Sequence, residues 1–280
     1  LSDWTAAADV IFSFSGTDAK RIDLISIEVK MPIARLPALL KQRFARQLAL
    51  PEIGDRGQRQ LLAGRVLLVG AGGLGSPAGL YLAAAGVGTI GIVDDDTVEL
   101  GNLQRQIFHA TADVGRLKVE SAAEKMRAIH PAAAIQVYPK RLTARNAAAI
   151  FRDYDFIVDA VDNVETKWLI ARACRRLQKP YSYGGIFRHA GQTMTIHPGQ
   201  TACLGCVFAD LLPATDSVPR GPLGVVPGVI GTIQAAEAIK HLLSIGTPLT
   251  NRLLTFDALD MNLRWVRVNR TPTCALCRVV

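Results

Sequence analysis

Cys203 and Cys206 form one C-x-x-C pair, and Cys274 and Cys277 form another. Four thiolates in two such pairs are a full tetrahedral ligand set for zinc, with no position left open for water. A closed site of this kind ties chain segments together and does no chemistry. A pair of disulfides is the alternative. Five cysteines in 280 residues are too sparse for a secreted disulfide scaffold, so zinc is the expectation. The fifth cysteine, Cys174, falls on the apolar face of a helix predicted over Lys167 to Leu177 and reads as a small buried hydrophobe.

The chemistry is expected elsewhere. Gly70-Ala71-Gly72-Gly73-Leu74-Gly75 follows an apolar strand and opens a helix. Glycines there let the backbone turn tightly and approach a phosphate chain, while the first N–H groups of the helix face the anion. Gly70, Gly72 and Gly73 are therefore nucleotide-binding candidates. Alone, this motif also marks other tight strand–helix turns. Asp94 strengthens it, because a carboxylate at the end of the next strand, about 20 residues on, is placed to accept ribose hydroxyls. Its alternative role is that of a turn residue in Asp94-Asp95-Asp96.

An oxidoreductase using NAD would share these features. The segment behind the acidic turn adds others. Gly101-Asn102-Leu103-Gln104-Arg105-Gln106 carries Arg105, a permanently charged fork suited to phosphate oxygens. Lys118 opens the next predicted helix, where the helix dipole disfavours a cation and a bound anion would compensate it. The alternative for each is an ordinary surface charge. Asp162-Asn163 lies just past another strand end, a place from which a carboxylate can hold magnesium beside a triphosphate. Asp162 could instead cap the following helix, although Asn163 can supply that cap.

These residues need a scaffold that gathers loops at one sheet edge. Strands are predicted at Arg65 to Val69, Thr89 to Val93, Ile135 to Tyr138, Phe156 to Asp159, Tyr181 to Ile186, Gln192 to Ile196, Leu253 to Phe256 and Leu263 to Val268. Helices are predicted at Leu39 to Leu48, Gln58 to Leu62, Leu74 to Ala85, Arg116 to Ile129, Ala144 to Phe151, from Glu165 onward, and at Val229 to Leu243. This alternation implies an α/β fold: a Rossmann-like, mostly parallel sheet with helices on both faces and antiparallel strands late in the chain.

Residues 31–280 read as one domain, with a mobile loop near 209–224 rich in proline and glycine. Residues 1–30 read as an N-terminal extension of unknown role, without the basic start of a signal peptide. Val66 to Val93 carries no charged residue, but its glycines and proline argue for two buried strands around a helix rather than a membrane span. The net charge of +8 fits an anionic ligand or an acidic partner. No cluster of basic and aromatic residues points to nucleic acid. A cytoplasmic protein without membrane or nucleic-acid partners is expected.

The ordered motifs resemble the MoeB/ThiF/HesA group of ubiquitin-activating-enzyme-like adenylyltransferases. They are Arg43-Phe44-Ala45-Arg46-Gln47, Leu50-Pro51-Glu52-Ile53-Gly54, the glycine turn with Ser76, and Tyr81 to Gly88. Asn102 to Gln106, Val114 to Lys118, Asp162-Asn163, the cysteine pairs and Phe256-Asp257-Ala258 complete the set. The resemblance runs from about Lys41 to Arg278.

The resemblance implies that magnesium-ATP and the terminal carboxylate of a small ubiquitin-like sulfur carrier ending Gly-Gly give an acyl-adenylate and pyrophosphate. Sulfur then replaces AMP, in molybdenum-cofactor or thiamine synthesis. It implies ribose binding by Asp94, nucleotide contacts from Asn102 and Asn163, phosphate neutralisation by Arg105 and Lys118, and magnesium at Asp162. It also implies that Arg46 enters a neighbouring subunit's site, making a homodimer the working unit; a solvated helix residue is the alternative. Many relatives carry a cysteine where Ser217 stands here, and a hydroxyl is a poor replacement for a thiolate. No covalent carrier adduct is expected, and the sulfur donor is expected to be a separate protein. Adenylation of a ribosomal peptide and a carrier-binding protein without turnover are the competing readings.

Overall fold

Every residue from Val66 to Val69 is buried. Val66 and Leu68 pack into one apolar cluster and Leu67 and Val69 into another. A strand whose two faces are both covered belongs inside a layered α/β sheet. The structure, a computed structural model, describes residues 36–208 and 221–278. The expectations for residues 1–30, for Ser217 and for most of the loop near 209–224 fall outside the described residues.

In chain order the helices α1 (Ala38–Arg43), α2 (Ala45–Leu48) and α3 (Gly54–Ala63) precede β1 (Arg65–Val69), α4 (Gly75–Ala85) and β2 (Thr89–Val93). Then come α5 (Lys118–Ile129), β3 (Ala134–Tyr138), α6 (Ala147–Phe151), β4 (Phe156–Asp159) and α7 (Val164–Leu177). The last part holds β5 (Tyr181–Phe187), β6 (Ala190–Ile196), α8 (Leu204–Val207), α9 (Val225–Leu243), β7 (Arg252–Asp257), β8 (Asn262–Arg267) and α10 (Ala275–Arg278). Among the described residues the strands form one eight-stranded sheet, ordered β3-β2-β1-β4-β5-β6-β7-β8. β3 through β5 run parallel, and β5 to β8 pair antiparallel. This is the expected mixed sheet. α4, α5 and α9 bury their apolar residues against one face, and α6 and α7 theirs against the other.

β1 lies between β2 and β4, so the chain leaves it first to one side and later to the other. The carboxyl ends of β1 and β4 thus frame a topological switch point, where open α/β sheets bind ligands. Gly70 sits there at φ 106°, and a Cβ on it would stand 2.7 Å from the Ala160 carbonyl oxygen. A side chain at Gly75 would be driven into the Gly70 carbonyl. The turn closes only with glycine at both positions.

Several predicted boundaries shift for local reasons. The helix predicted over Leu39 to Leu48 is broken at Phe44, whose side chain is buried beside Leu36, Leu40 and Leu62. Tertiary anchoring of that ring outweighs helix propensity. α3 begins at Gly54, four residues ahead of the predicted Gln58. α9 begins at Val225 and takes Pro227 into its first turn, where a missing N–H costs nothing. α6 starts late because the Asn146 side chain accepts the Thr143 N–H and donates to the Arg141 carbonyl, closing a turn before the helix. α5 starts at Lys118 rather than Arg116, because Leu117 pairs with Thr97 in an isolated bridge. The short helices α8 and α10 around the cysteines were not predicted. Among the described residues no helix is long and apolar enough to cross a membrane.

Candidate functional site

The Ala71 peptide in the glycine turn is held from both sides. Its N–H donates to Asp94 Oδ2 at 2.8 Å, and its carbonyl lies 3.2 Å from His109 Nε2. A carbonyl only accepts, so Nε2 carries the imidazole proton and Nδ1 accepts from the Ser121 hydroxyl at 2.9 Å. Burial pushes His109 below its ordinary pKa, which keeps the ring neutral. Asp94 Oδ1 accepts the Asp96 N–H at 2.9 Å. Burial pushes the Asp94 carboxyl up, against the hydrogen bonds from Ala71 and Asp96 and the charge of Lys118. Asp94 therefore organises its turn, the alternative role, and stands as the candidate ribose acceptor beside the glycine turn. His109 and Ser121 escaped sequence reasoning; nothing in their spacing marked them.

Lys118 opens α5 as expected, and its Nζ lies 2.7 Å from Asp96 Oδ2. The bridge between Thr97 and Leu117, with the Lys118 N–H donating to the Asp96 carbonyl, draws the acidic turn against the start of α5. Arg105 passes over the glycine turn: its Cγ would lie 3.5 Å from a Cβ on Gly73, and its Nη1 donates to the Gly101 carbonyl at 3.0 Å. Asn102, a predicted nucleotide ligand, uses its Oδ1 to accept the Glu99 N–H within its own turn at 3.1 Å.

Asn163 caps α7, accepting the Thr166 N–H at 2.9 Å. Asp162 is exposed and is not spent on that cap. It follows Ala160, whose carbonyl touches Gly70, so it stands at the switch point beside the glycine turn. Behind it, the fully buried Asp159 pairs with Lys167 at 3.0 Å and holds the Val161 N–H. Burial raises the Asp159 carboxyl, while Lys167 and the Val161 N–H favour its charge.

Arg46 is not brought to this turn. Its neighbour Gln47 donates to Gln58 Oε1 at 2.7 Å and to the carbonyl of Ala85, the last residue of α4, at 3.0 Å. The glycine turn meets the first residue of that helix. The 11 residues of α4 therefore separate the two ends by about 15 Å at 1.5 Å per residue.

The four paired cysteines converge as predicted. Cys203 Sγ lies 3.7 Å from Cys206, 3.5 Å from Cys274 and 3.2 Å from Cys277, and Cys206 lies 3.6 Å from Cys277. All are free thiols, which sets aside the disulfide alternative. Burial and the neighbouring thiols push the Cys203 thiol up, while, against burial, the Thr271 N–H and further hydrogen bonds bring Cys206 down to about 7. Cys174 is buried, as expected.

A glycine-rich turn at the switch point of a Rossmann-like sheet, together with a four-cysteine group elsewhere in the same chain, defines the class. The profile of the ThiF family matches residues 44–278. The chain belongs to that family. It is 43% identical over 244 residues to a sulfur carrier protein adenylyltransferase of Thermus thermophilus, covering 84% of this chain and 90% of that one. It is 42% identical over 246 residues to the SAMP-activating enzyme E1 of Haloferax volcanii, covering 86% and 90%. Against a maize adenylyltransferase and sulfurtransferase it is 45% identical over 253 residues, 88% of this chain and 53% of that one. The chain thus spans about half the length of that relative. In structure, E. coli MccB superposes with a TM-score of 0.76 at 22% identity, over 85% of this chain and 72% of MccB. That likeness speaks to the fold.

Proposed function

We propose that this chain adenylates the C-terminal glycine carboxylate of a ubiquitin-like sulfur carrier, preparing it for sulfur transfer in molybdenum-cofactor or thiamine synthesis. The observation that carries this reading is the match to adenylyltransferases over nearly their full length, the Thermus sulfur carrier protein adenylyltransferase first among them. The site agrees with it. An NAD-dependent oxidoreductase would not need Arg105, Lys118 and an uncommitted Asp162 around the glycine turn.

The carboxylate oxygen attacks the α-phosphorus of ATP. A P–O bond to the carrier forms and the bond to pyrophosphate breaks. The carboxylate is ionised at neutral pH, so no general base is required. The protein aligns the reactants and offsets charge on the leaving group. Gly70, Gly72 and Gly73 admit the phosphates, Asp94 accepts ribose hydroxyls, and Arg105 and Lys118 face the phosphate chain. Asn102 and Asn163 hold the loops on either side. Magnesium, when bound, would neutralise phosphate oxygens, and Asp162 would hold it.

Cys203, Cys206, Cys274 and Cys277 would bind zinc as a structural ion. Arg46, remote from its own glycine turn, would serve a partner subunit's site in a homodimer. Mixing Arg46→Ala with Arg105→Ala chains then regenerates roughly a quarter of native activity, through hybrid dimers with one intact site. No recovery on mixing would reject the dimer reading.

ATP–pyrophosphate exchange with a panel of Gly-Gly carriers, intact and lacking the last glycine, tests the reading. Exchange that needs one intact carrier supports it. Absence of exchange with every carrier, while magnesium-ATP still stabilises the protein, favours a peptide substrate or a relative without turnover.

A further inference from the structure

Gln106 is 5% exposed. Its Oε1 is buried without a hydrogen-bond partner, and no bond engages its Nε2 among the described residues. The backbone around it is fixed: its N–H donates to the Asn102 carbonyl, and its own carbonyl accepts the His109 N–H, each at 3.0 Å. Nε2 points at the glycine turn, 3.6 Å from where a Cβ on Gly72 would stand. A buried side-chain oxygen is seldom left unpaired. Here no internal bond fixes the amide among the described residues, so its nitrogen is open to a ligand. An oxygen facing a phosphate would be repelled, so the nitrogen is the end an anion selects.

Three turn residues meet three side chains in register. Asp94 holds Ala71, Gln106 faces Gly72, and Arg105 covers Gly73. The second glycine of such a motif is where the backbone approaches the phosphates. If Asp94 marks the ribose end, the phosphate attached to the ribose falls over Gly72 and the next over Gly73. From this order we infer that Gln106 Nε2 donates a hydrogen bond to a non-bridging oxygen of the α-phosphate, the centre attacked by the carboxylate. This rests on the adenylation reading and assigns it a further catalytic residue. The neutral donor follows the α-phosphate from ATP into the acyl-adenylate, whereas Arg105 acts on the portion that leaves.

The test is carrier-dependent pyrophosphate exchange by Gln106→Met and Gln106→Glu, with ATP and with both diastereomers of ATPαS. A lost donor to a charged acceptor lowers kcat/KM about 10- to 100-fold. Glu, which keeps the shape but presents an acceptor, falls further than Met. One ATPαS diastereomer is penalised in the native enzyme, and that penalty shrinks in Gln106→Met while the penalty for ATPβS stays. Native-like exchange in Gln106→Met, a Glu variant better than Met, or unchanged α-thio discrimination would each overturn the assignment. If the Met variant does not fold, the isosteric Glu variant still decides through its α-thio penalty. Exchange by the native protein is the control: its absence indicts the adenylation reading instead.

Discussion

Lys118 Nζ and Asp96 Oδ2 form an ion pair of 2.7 Å at the mouth of the candidate site, with the lysine 8% exposed and the aspartate 67% exposed. The first-turn cation on α5 therefore has its compensating anion within the chain. The aspartate faces water, so the pair is weak and exchangeable. A phosphate can compete for the lysine because it brings more charge and more acceptor oxygens than one solvated carboxylate.

Asp96→Asn removes the competitor. The apo protein loses on the order of 1 kcal/mol or less, as expected for a solvent-facing pair. Magnesium-ATP then raises the melting temperature more than it does in the native protein. A smaller ATP shift in Asp96→Asn would mean that Asp96 is itself a ligand-side group, presenting the lysine or holding the metal.

Asp162 and Asn163 are neighbours with separable duties. Asn163 closes the first turn of α7, so Asn163→Ala costs about 1 kcal/mol in urea unfolding. Asp162→Ala leaves stability within about 0.5 kcal/mol, as for an exposed position. It lowers exchange by about 100-fold or more if it holds the cation that neutralises the phosphates. Equal stability losses in the two variants would show that Asp162 shares the cap.

His130 gives the fold an acid-sensitive point away from the site. Its ring is buried edge-on against Phe44, at 5.7 Å between centroids, with neither nitrogen paired. Burial, aided by the charge of Arg43, lowers its pKa from 6.5 to about 4. A depressed folded pKa means the neutral ring is favoured in the native state. Its contribution is complete above about 6.5 and is lost as pH falls toward 4. His109, His197 and His241 shift the same way, also through burial. The comparison that isolates His130 is with His130→Met, whose urea midpoint drops less between pH 7.5 and 5. An identical drop would reject the assignment.

The sheet was legible because its strands are apolar throughout and its breakers sit between elements. Phe156 to Asp159 matches β4 residue for residue. Boundaries failed where side chains act locally or at a distance: Phe44 buried into a far cluster, Asn146 closing a turn, Pro227 admitted to a helix start. The cysteine cluster was legible because paired spacing carries it, and Asp94, Arg105 and Lys118 stood out as candidates by their charge and their places beside strand and helix ends. The support beneath them was not. His109 reaches the Ala71 carbonyl and Asp159 pairs with Lys167 only after folding. The Asp96 partner of Lys118 likewise depends on the bridge between Thr97 and Leu117, a pairing without periodic signature.

The cysteine group makes a prediction about metal removal. Thiolates on zinc at about 2.3 Å in a tetrahedron lie about 3.8 Å apart. The sulfur separations of 3.2 to 3.7 Å are slightly tighter, and a central ion would spread them without moving the backbone far. Each pair starts one residue ahead of its helix, α8 or α10, and ends within it, and Arg175 of α7 donates to the Cys277 carbonyl at 3.3 Å, so the site pins the chain's last described helix to the layer that begins beside Asp162. Elemental analysis is expected to find one zinc per chain. Stripping it with a chelator at neutral pH lowers the melting temperature by several degrees, because binding free energy at a structural site is folding free energy. Below the new transition the affinity for ATP is unchanged, since a closed site takes no part in the chemistry. Cys206→Ser reproduces the loss. A chain free of zinc that melts at the native temperature would reject the ion, and loss of ATP affinity before unfolding would reject a purely structural role.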